Sequence, residues 1–179
     1  MSGMNGREGS ADQGQRYYGK YRGTVINNVD PLQIGRIQAI VTDVSALLPT
    51  TYAMPCVPLA GKEMGTYMVP QVGAGVWIEF EQGNPDYPIW VGTYWGTAAE
   101  VPKLALAGIP ASPNIVFQTA GQNTLMLSDT PGVGIVLKTL TGAFIMVNDV
   151  GITISNGKGA IITMTGNITD INGAGLTVI

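Results

Sequence analysis

The residue types that most often carry catalysis are scarce in this chain, and its paired carboxylates are the first to consider. The sequence contains no histidine and one cysteine, which excludes Ser-His-Asp and Cys-His catalysis, histidine-ligated metal sites and a disulfide within the chain. Glu79 and Glu81 could be interpreted as the acid pair of a glycoside hydrolase. They stand two residues apart on one predicted strand, so their side chains project side by side without a cleft between them. We therefore predict a polar outer face there, and no enzyme.

Acidic residues of the second half could suggest a calcium site. Asp129 and Asp149 occur at matching places after predicted strands, and carboxylates are the usual ligands of Ca²⁺. RTX-type calcium repeats, however, are glycine-rich nonapeptides with an aspartate in each repeat, and this region adds only Asp170. We therefore expect these carboxylates, with Lys138 and Lys158, to be solvated at strand ends and turns. We predict no metal and no cofactor.

Aromatic residues of the first half could stack against bases or sugars. They are Trp77, Trp90, Tyr94 and Trp95. The net charge of −3 and the pI of about 4.7 argue against nucleic acid, because phosphate binding requires clustered Lys and Arg. We favour the interpretation that these rings fill a barrel or cover its contacts with neighbours. We predict that Cys56, between apolar neighbours, is a buried and unreactive thiol.

The elements that position these residues are predicted to be almost entirely β. Helical periodicity is nearly absent, while Val, Ile, Thr and aromatic residues form short runs between turn-forming residues. All but two of the aromatic residues precede Thr97, as a compact β-domain needs. Five strands in about eighty residues suit a small barrel of the OB type, with a hairpin turn at 82–86. The predicted strands are Tyr21–Val29, Gly35–Val41, Ala53–Pro58, Gly75–Glu81 and Pro88–Tyr94.

Composition divides the chain into four segments. We expect a flexible N-terminal tail at 1–16, the OB-fold domain at 17–96, an Ala/Pro linker at 97–117 and a spike domain at 118–179. The tail is rich in Gly, Ser and Gln without an apolar core, so we predict no signal peptide. No apolar run is long enough for a membrane-spanning helix.

The fourth segment consists of short apolar strands that recur about every ten residues. Each strand offers two inward side chains, so a single copy leaves an apolar strip without a partner. The economical solution is three identical chains around one axis, an intertwined trimeric β-helix with the form of a triangular prism in which strand edges pair between chains. The predicted trimer core is Leu125, Leu127, Ile135, Leu137, Ile145, Val147, Ile152, Ile154, Ile162 and Met164.

An OB barrel followed by an Ala/Pro linker and a short-strand β-helix resembles the central spike of contractile injection machines. This family includes baseplate assembly protein V of contractile-tailed phages and the type VI secretion spike VgrG. The matching stretches are YRGTVINNVDPLQIGRIQAIV, AMPCVPLAG and VPQVGAGVWIEFEQGNPDYPIWVGTYWG, with a weaker repeat TLMLSD, GIVLKT, GITISN and LTV. The third stretch, at Val69–Gly96, is the most specific of them.

The resemblance implies a structural spike that helps pierce a target envelope when the sheath contracts. It implies a homotrimer, a baseplate hub protein on the OB side and transient contact with the target membrane, while the net charge already argues against nucleic acid as a partner. It also implies residence in a virion or phage-tail-like particle that is assembled in the bacterial cytoplasm. Since no histidine is available for a metal-bound apex, we expect a separate PAAR-like tip protein to dock on a face formed by Leu176, Thr177, Val178 and Ile179.

A second class of function remains open at this point. The chain could be a trimeric, adhesin-like module whose OB barrel binds glycan or nucleic acid and whose β-helix only trimerises it. Association with a tail tube and baseplate would distinguish a spike from such a module.

Overall fold

The computed structural model describes residues 14–173 and 175–178, so Ile179 and most of the predicted tail (1–13) lie outside the described residues. Contacts divide the chain into two compact units, Met1–Gly96 and Thr97–Ile179, and each is described by itself. In the described part of the chain, no helix has both the length and the apolar character needed to cross a membrane.

The first unit is a curled five-stranded sheet of the OB type. Its strand order is β2-β1-β6-β7-β3. An isolated bridge between Ile37 and Ala53, which precede β2 and β3, joins the two outer strands. The elements are β1 (Tyr21–Asn27), β2 (Gln38–Ile40), α1 (Thr42–Ser45), β3 (Met54–Pro55), β4 (Ala60–Gly61), β5 (Met64–Gly65), β6 (Gly75–Phe80), a 3-10 helix (Glu81–Gly83) and β7 (Pro88–Tyr94).

Alternation along β6 fills the interior of this unit, as predicted. Val76, Ile78 and Phe80 are buried, while the residues between them are only partly covered. The predicted turn at 82–86 is confirmed, because β6 and β7 pair antiparallel on either side of it. The buried core consists of Val25, Ile37, Ala39, Val41, Ala53, Val76, Ile78, Phe80 and Trp90.

The structure corrects the prediction for Cys56, which is exposed. Side chains alternate along this stretch: Ala53 is buried and Pro55 half-buried, whereas Met54 and Cys56 face out. The Cys56 backbone N–H donates to the Trp90 carbonyl at 2.9 Å, which continues the pairing of β3 with β7. Apolar neighbours in sequence therefore point away from the thiol and do not bury it.

The second unit contains one eight-stranded antiparallel sheet whose strands pair in sequence order. After a 3-10 helix at Ala98–Glu100, its strands are β8 (Ile115–Gln118), β9 (Thr124–Ser128), β10 (Gly134–Lys138), β11 (Phe144–Val147), β12 (Gly151–Ser155), β13 (Ile161–Thr165), β14 (Ile168–Ile171) and β15 (Leu176–Val178). Strand β8 thus begins within the range that we expected to be linker.

Pairing in this sheet differs from the expected exchange of strand edges between chains. Each strand from β9 to β14 pairs on both sides with its own chain. The physical reason is the tight turns, which hold each strand beside the previous one. At Gly134, for example, φ is 66° and a Cβ would overlap the Val147 carbonyl oxygen, so only glycine fits. Along β9 to β14, contact between chains must therefore use the faces of the sheet and not its strand edges.

Candidate functional site

One face of the eight-stranded sheet carries two continuous columns of apolar side chains. Residues directly opposite each other on antiparallel strands point to the same face, and the register links each member to the next. Column A consists of Ile115, Leu127, Ile135, Val147, Ile152 and Met164. Column B consists of Phe117, Leu125, Leu137, Ile145, Ile154, Ile162 and Ile171. All ten residues predicted as trimer core are thereby brought together on one face.

These columns are open to solvent in the single chain. Seven of the ten predicted residues are between 36% and 47% exposed, and Ile115 and Phe117 at the start of the columns are 60% and 56% exposed. The other three are half-buried. Contiguous apolar surface of this extent is uncommon on a monomeric soluble protein and indicates an interaction face.

The opposite face of the sheet is covered within the chain at β9 and β10. Met126 and Val136, in its central column, are only 6% and 8% exposed. Asn114 lies against Met126, with Nδ2 at 3.6 Å from Sδ, and the same Nδ2 donates to the Leu104 carbonyl at 2.7 Å. The register continues this column from Val136 through Met146 to Thr153 and Thr163, where it becomes polar. This part of the opposite face is therefore buried in the single chain, in contrast to columns A and B.

A shallow open groove of about 480 Å³ runs beside column B. Leu137, Ile145 and Ile154 of that column line it, together with Phe144 and the ends of the adjacent strands. Its lining includes no residue of column A. The two halves of the apolar face consequently differ in shape as well as in sequence.

The aromatic residues of the OB unit do not form one surface. Trp90 is buried, and its Nε1 donates to the Gly35 carbonyl at 3.1 Å, so it fills the barrel as predicted. Trp77 and Tyr94 pack with tilted rings whose centroids are 5.1 Å apart, and the Arg22 guanidinium lies 5.5 Å from the centroid of each ring. Trp95 is exposed.

The carboxylates considered for catalysis or calcium are dispersed. Glu79 forms an ion pair with Lys20, while Glu81 begins the 3-10 helix and leaves the strand. Asp129 accepts a hydrogen bond from the Ser112 hydroxyl at 2.7 Å. Across residues 14–173 and 175–178, no three or more His, Cys, Asp or Glu side chains are grouped so that they could hold a metal ion.

Sequence reasoning missed the most heavily bonded side chain of the OB unit, Asp30. Its carboxylate accepts from the backbone N–H groups of Leu32, Ile34 and Arg36 at 3.0, 3.0 and 3.2 Å, and from Nε and Nη2 of Arg36 at 3.0 and 2.7 Å. The Arg36 guanidinium, and then these backbone donors, hold the pKa of Asp30 well below its usual range. The available signal was Asp30 before Pro31, a typical turn opening.

At the far end of the sheet, β15 contains three of the four residues predicted as a docking face. Leu176 is 54% exposed, and β15 pairs on one side with β14. For Thr177 and Val178 only the backbone is described, and Ile179 lies outside the described residues.

Two protein-family models match the chain. Residues 21–95 match the type VI secretion system/phage-baseplate injector OB domain. Residues 114–177 match the phage baseplate V C-terminal trimerisation domain. A comparison with curated proteins found no match.

Proposed function

From the premise that this chain belongs to the phage baseplate V family, we propose that its second unit is the shaft of a needle that helps pierce the target envelope when the sheath contracts. The chain is a structural spike with an OB domain and a trimerisation domain, not an enzyme. It is a homotrimer and a component of a phage-type baseplate. This assignment favours the spike over the adhesin-like module that the sequence left open.

The observation that carries the proposal is the unpartnered two-column face. Columns A and B are apolar over six successive strands, yet they remain exposed in one chain. Facing three such sheets toward a common axis would remove these side chains from water, while the opposite faces, which end in polar Thr153 and Thr163, stay outside. The ten predicted core residues would then line the axis, which gives each sheet one wall of a triangular prism.

Such a prism is suited to axial load. Eight strands stacked at about 4.8 Å extend roughly 35 Å along the sheet, which is comparable with the hydrocarbon thickness of a bilayer, about 30 Å. The ladder hydrogen bonds run from strand to strand along that direction. Few charged residues occur in this unit, which lowers the cost of desolvation during transient contact with a membrane.

We further propose two protein partners. The OB unit, 17–96, would dock on a baseplate hub protein. A separate PAAR-like tip would cover β15, because an exposed strand edge is a template for adding a strand from another chain. The exposed Leu176 beside that edge supports this contact.

Electron microscopy of the native particle tests the proposal. A three-fold needle below the baseplate, with the OB unit against the hub and the sheets around the axis, is the expected result. Finding this chain at the periphery of the particle, or free of it, would contradict the proposal.

A further inference from the structure

We infer that each corner of the prism joins column A of one protomer to column B of the next, so that every protomer uses two different surfaces. The inference rests on the proposed orientation of the two-column face toward the three-fold axis. The occupant of the groove beside column B is thus a second copy of this chain, which contributes the aliphatic side chains of column A.

Symmetry supplies the first argument. In a closed three-membered ring, each contact is heterologous: one patch of a subunit meets a different patch of its neighbour. The sheet face offers two such patches, and each extends over at least six strands. Because β9 to β14 use both strand edges within their own chain, contact between protomers along these six strands must come from side chains and not from shared ladders.

Geometry supplies the second argument. Columns A and B are two residues apart along each strand, which is about 7 Å. They therefore lie on opposite sides of the midline of each wall. Each corner of a triangular prism is bounded by the right side of one wall and the left side of the next. Unlike columns consequently approach each other at the corners, whereas like columns are separated by the axis.

Shape and charge supply the third argument. The groove of about 480 Å³ lies beside column B, and Leu137, Ile145 and Ile154 of that column form part of its lining. Column A presents exposed Leu127, Ile135 and Val147, each at least 40% accessible. Neither column contains a charged residue. Lys138, at the end of β10, also lines the groove, and its long side chain can keep the ammonium group in solvent while the two columns are buried.

Cysteine cross-linking of the full chain tests the inference. The exposed Cys56 is first replaced by alanine. Two double variants then place one thiol in each column at the same strand: Ile145→Cys with Val147→Cys on β11, and Ile135→Cys with Leu137→Cys on β10. Two further pairs, Ile135→Cys with Ile145→Cys and Leu137→Cys with Val147→Cys, allow for an offset of one strand. The matched controls are the four single variants.

After mild oxidation, at least one double variant should run as a covalent trimer on a non-reducing gel. The single variants should run as monomers on the same gel. Their thiols all lie in like columns, and a disulfide requires Cα atoms within about 7 Å. Covalent dimers from the single variants would mean that like columns meet, and would overturn the inference. Failure of all four pairs to cross-link, in protein that sediments as a trimer when reduced, would overturn it equally.

Sedimentation of the unmodified chain separates this result from the proposed function. A trimer with like-column cross-links leaves the spike intact and removes only the corner pairing, whereas a monomer contradicts the trimeric architecture itself. If a double variant does not sediment as a trimer when reduced, its substitutions have disrupted assembly. The corner pairing is then decided by the cysteine pairs that still sediment as a trimer.

Discussion

The carboxylate of Asp30 and the guanidinium of Arg36 form a two-point contact, with Nε and Nη2 at 3.0 and 2.7 Å from the same oxygen, Oδ1. The side chains are 3% and 18% exposed, respectively, and the Arg36 guanidinium also lies 4.8 Å from the centre of the Tyr52 ring. This contact holds the loop between β1 and β2 in a fixed conformation. The loop is therefore an ordered part of the OB unit.

The first prediction concerns acid stability. The pKa of Asp30 is lowered in the folded chain, chiefly by hydrogen bonding to Arg36. Its contribution to the free energy of unfolding is therefore fully present above the unfolded pKa of about 4 and is lost as the pH falls toward the folded pKa. In denaturant titrations between about pH 5 and 2, Asp30→Asn should show a shallower loss of stability than the wild type. Asp43→Asn is the matched control, because Asp43 is exposed; equal slopes in all three proteins would contradict the assignment.

The second prediction separates the two faces of the spike sheet. Ile145→Asp or Ile152→Asp would place three unpaired carboxylates against the axis of the trimer, at a cost on the order of 3–5 kcal/mol for each buried charge. We expect these variants to lose the trimer in analytical sedimentation. Thr153→Asp is the matched control on the adjacent position of β12, since Thr153 belongs to the opposite face. Equal loss of the trimer in all three variants would show that the two faces are not distinguished in this way.

Strand periodicity made most of the fold predictable. Alternation along Gly75–Phe80 identified the buried side of β6 correctly, and the recurrence of Leu125, Ile135 and Ile145 identified one face of the second sheet. Such patterns are local, because neighbouring side chains on a strand must point to opposite faces. Where burial depends only on this alternation, the buried side of a strand can be predicted from the sequence.

Pairing between strands and bonds between distant groups could not be predicted in the same way. Whether a strand pairs within its chain or with another copy depends on turn geometry, as at Gly134, and not on the apolar pattern. Asp30 and Cys56 illustrate the same difficulty. The bonds of Asp30 form only when its loop is folded. The exposure of Cys56 depends on which side of its strand the residue faces, and the apolar neighbours in sequence do not reveal that side.

The third prediction tests the turn glycines that keep the sheet in sequence order. Gly132 and Gly134 both have positive φ, at 80° and 66°. A Cβ at Gly132 meets nothing within 4 Å, whereas one at Gly134 meets the backbone of Val147 and Asn148. Gly132→Ala should cost about 1–2 kcal/mol, the conformational penalty alone. Gly134→Ala should cost clearly more in thermal unfolding of the intact chain, and equal costs would contradict the steric argument.

The last prediction concerns the far end of the spike. Strand β15 pairs with β14 on one side only in the described part of the chain, and Leu176 beside its edge is 54% exposed. A separate tip protein would cover this apolar edge and concentrate the force of contraction on a smaller area of membrane. Deletion of 176–179 should abolish tip binding but leave the trimer intact, because columns A and B are complete before β15. Sedimentation of the variant measures the trimer, and electron microscopy of particles that carry it measures the tip. Wild-type particles without density beyond β15 would contradict the proposal, and this chain would itself be the point.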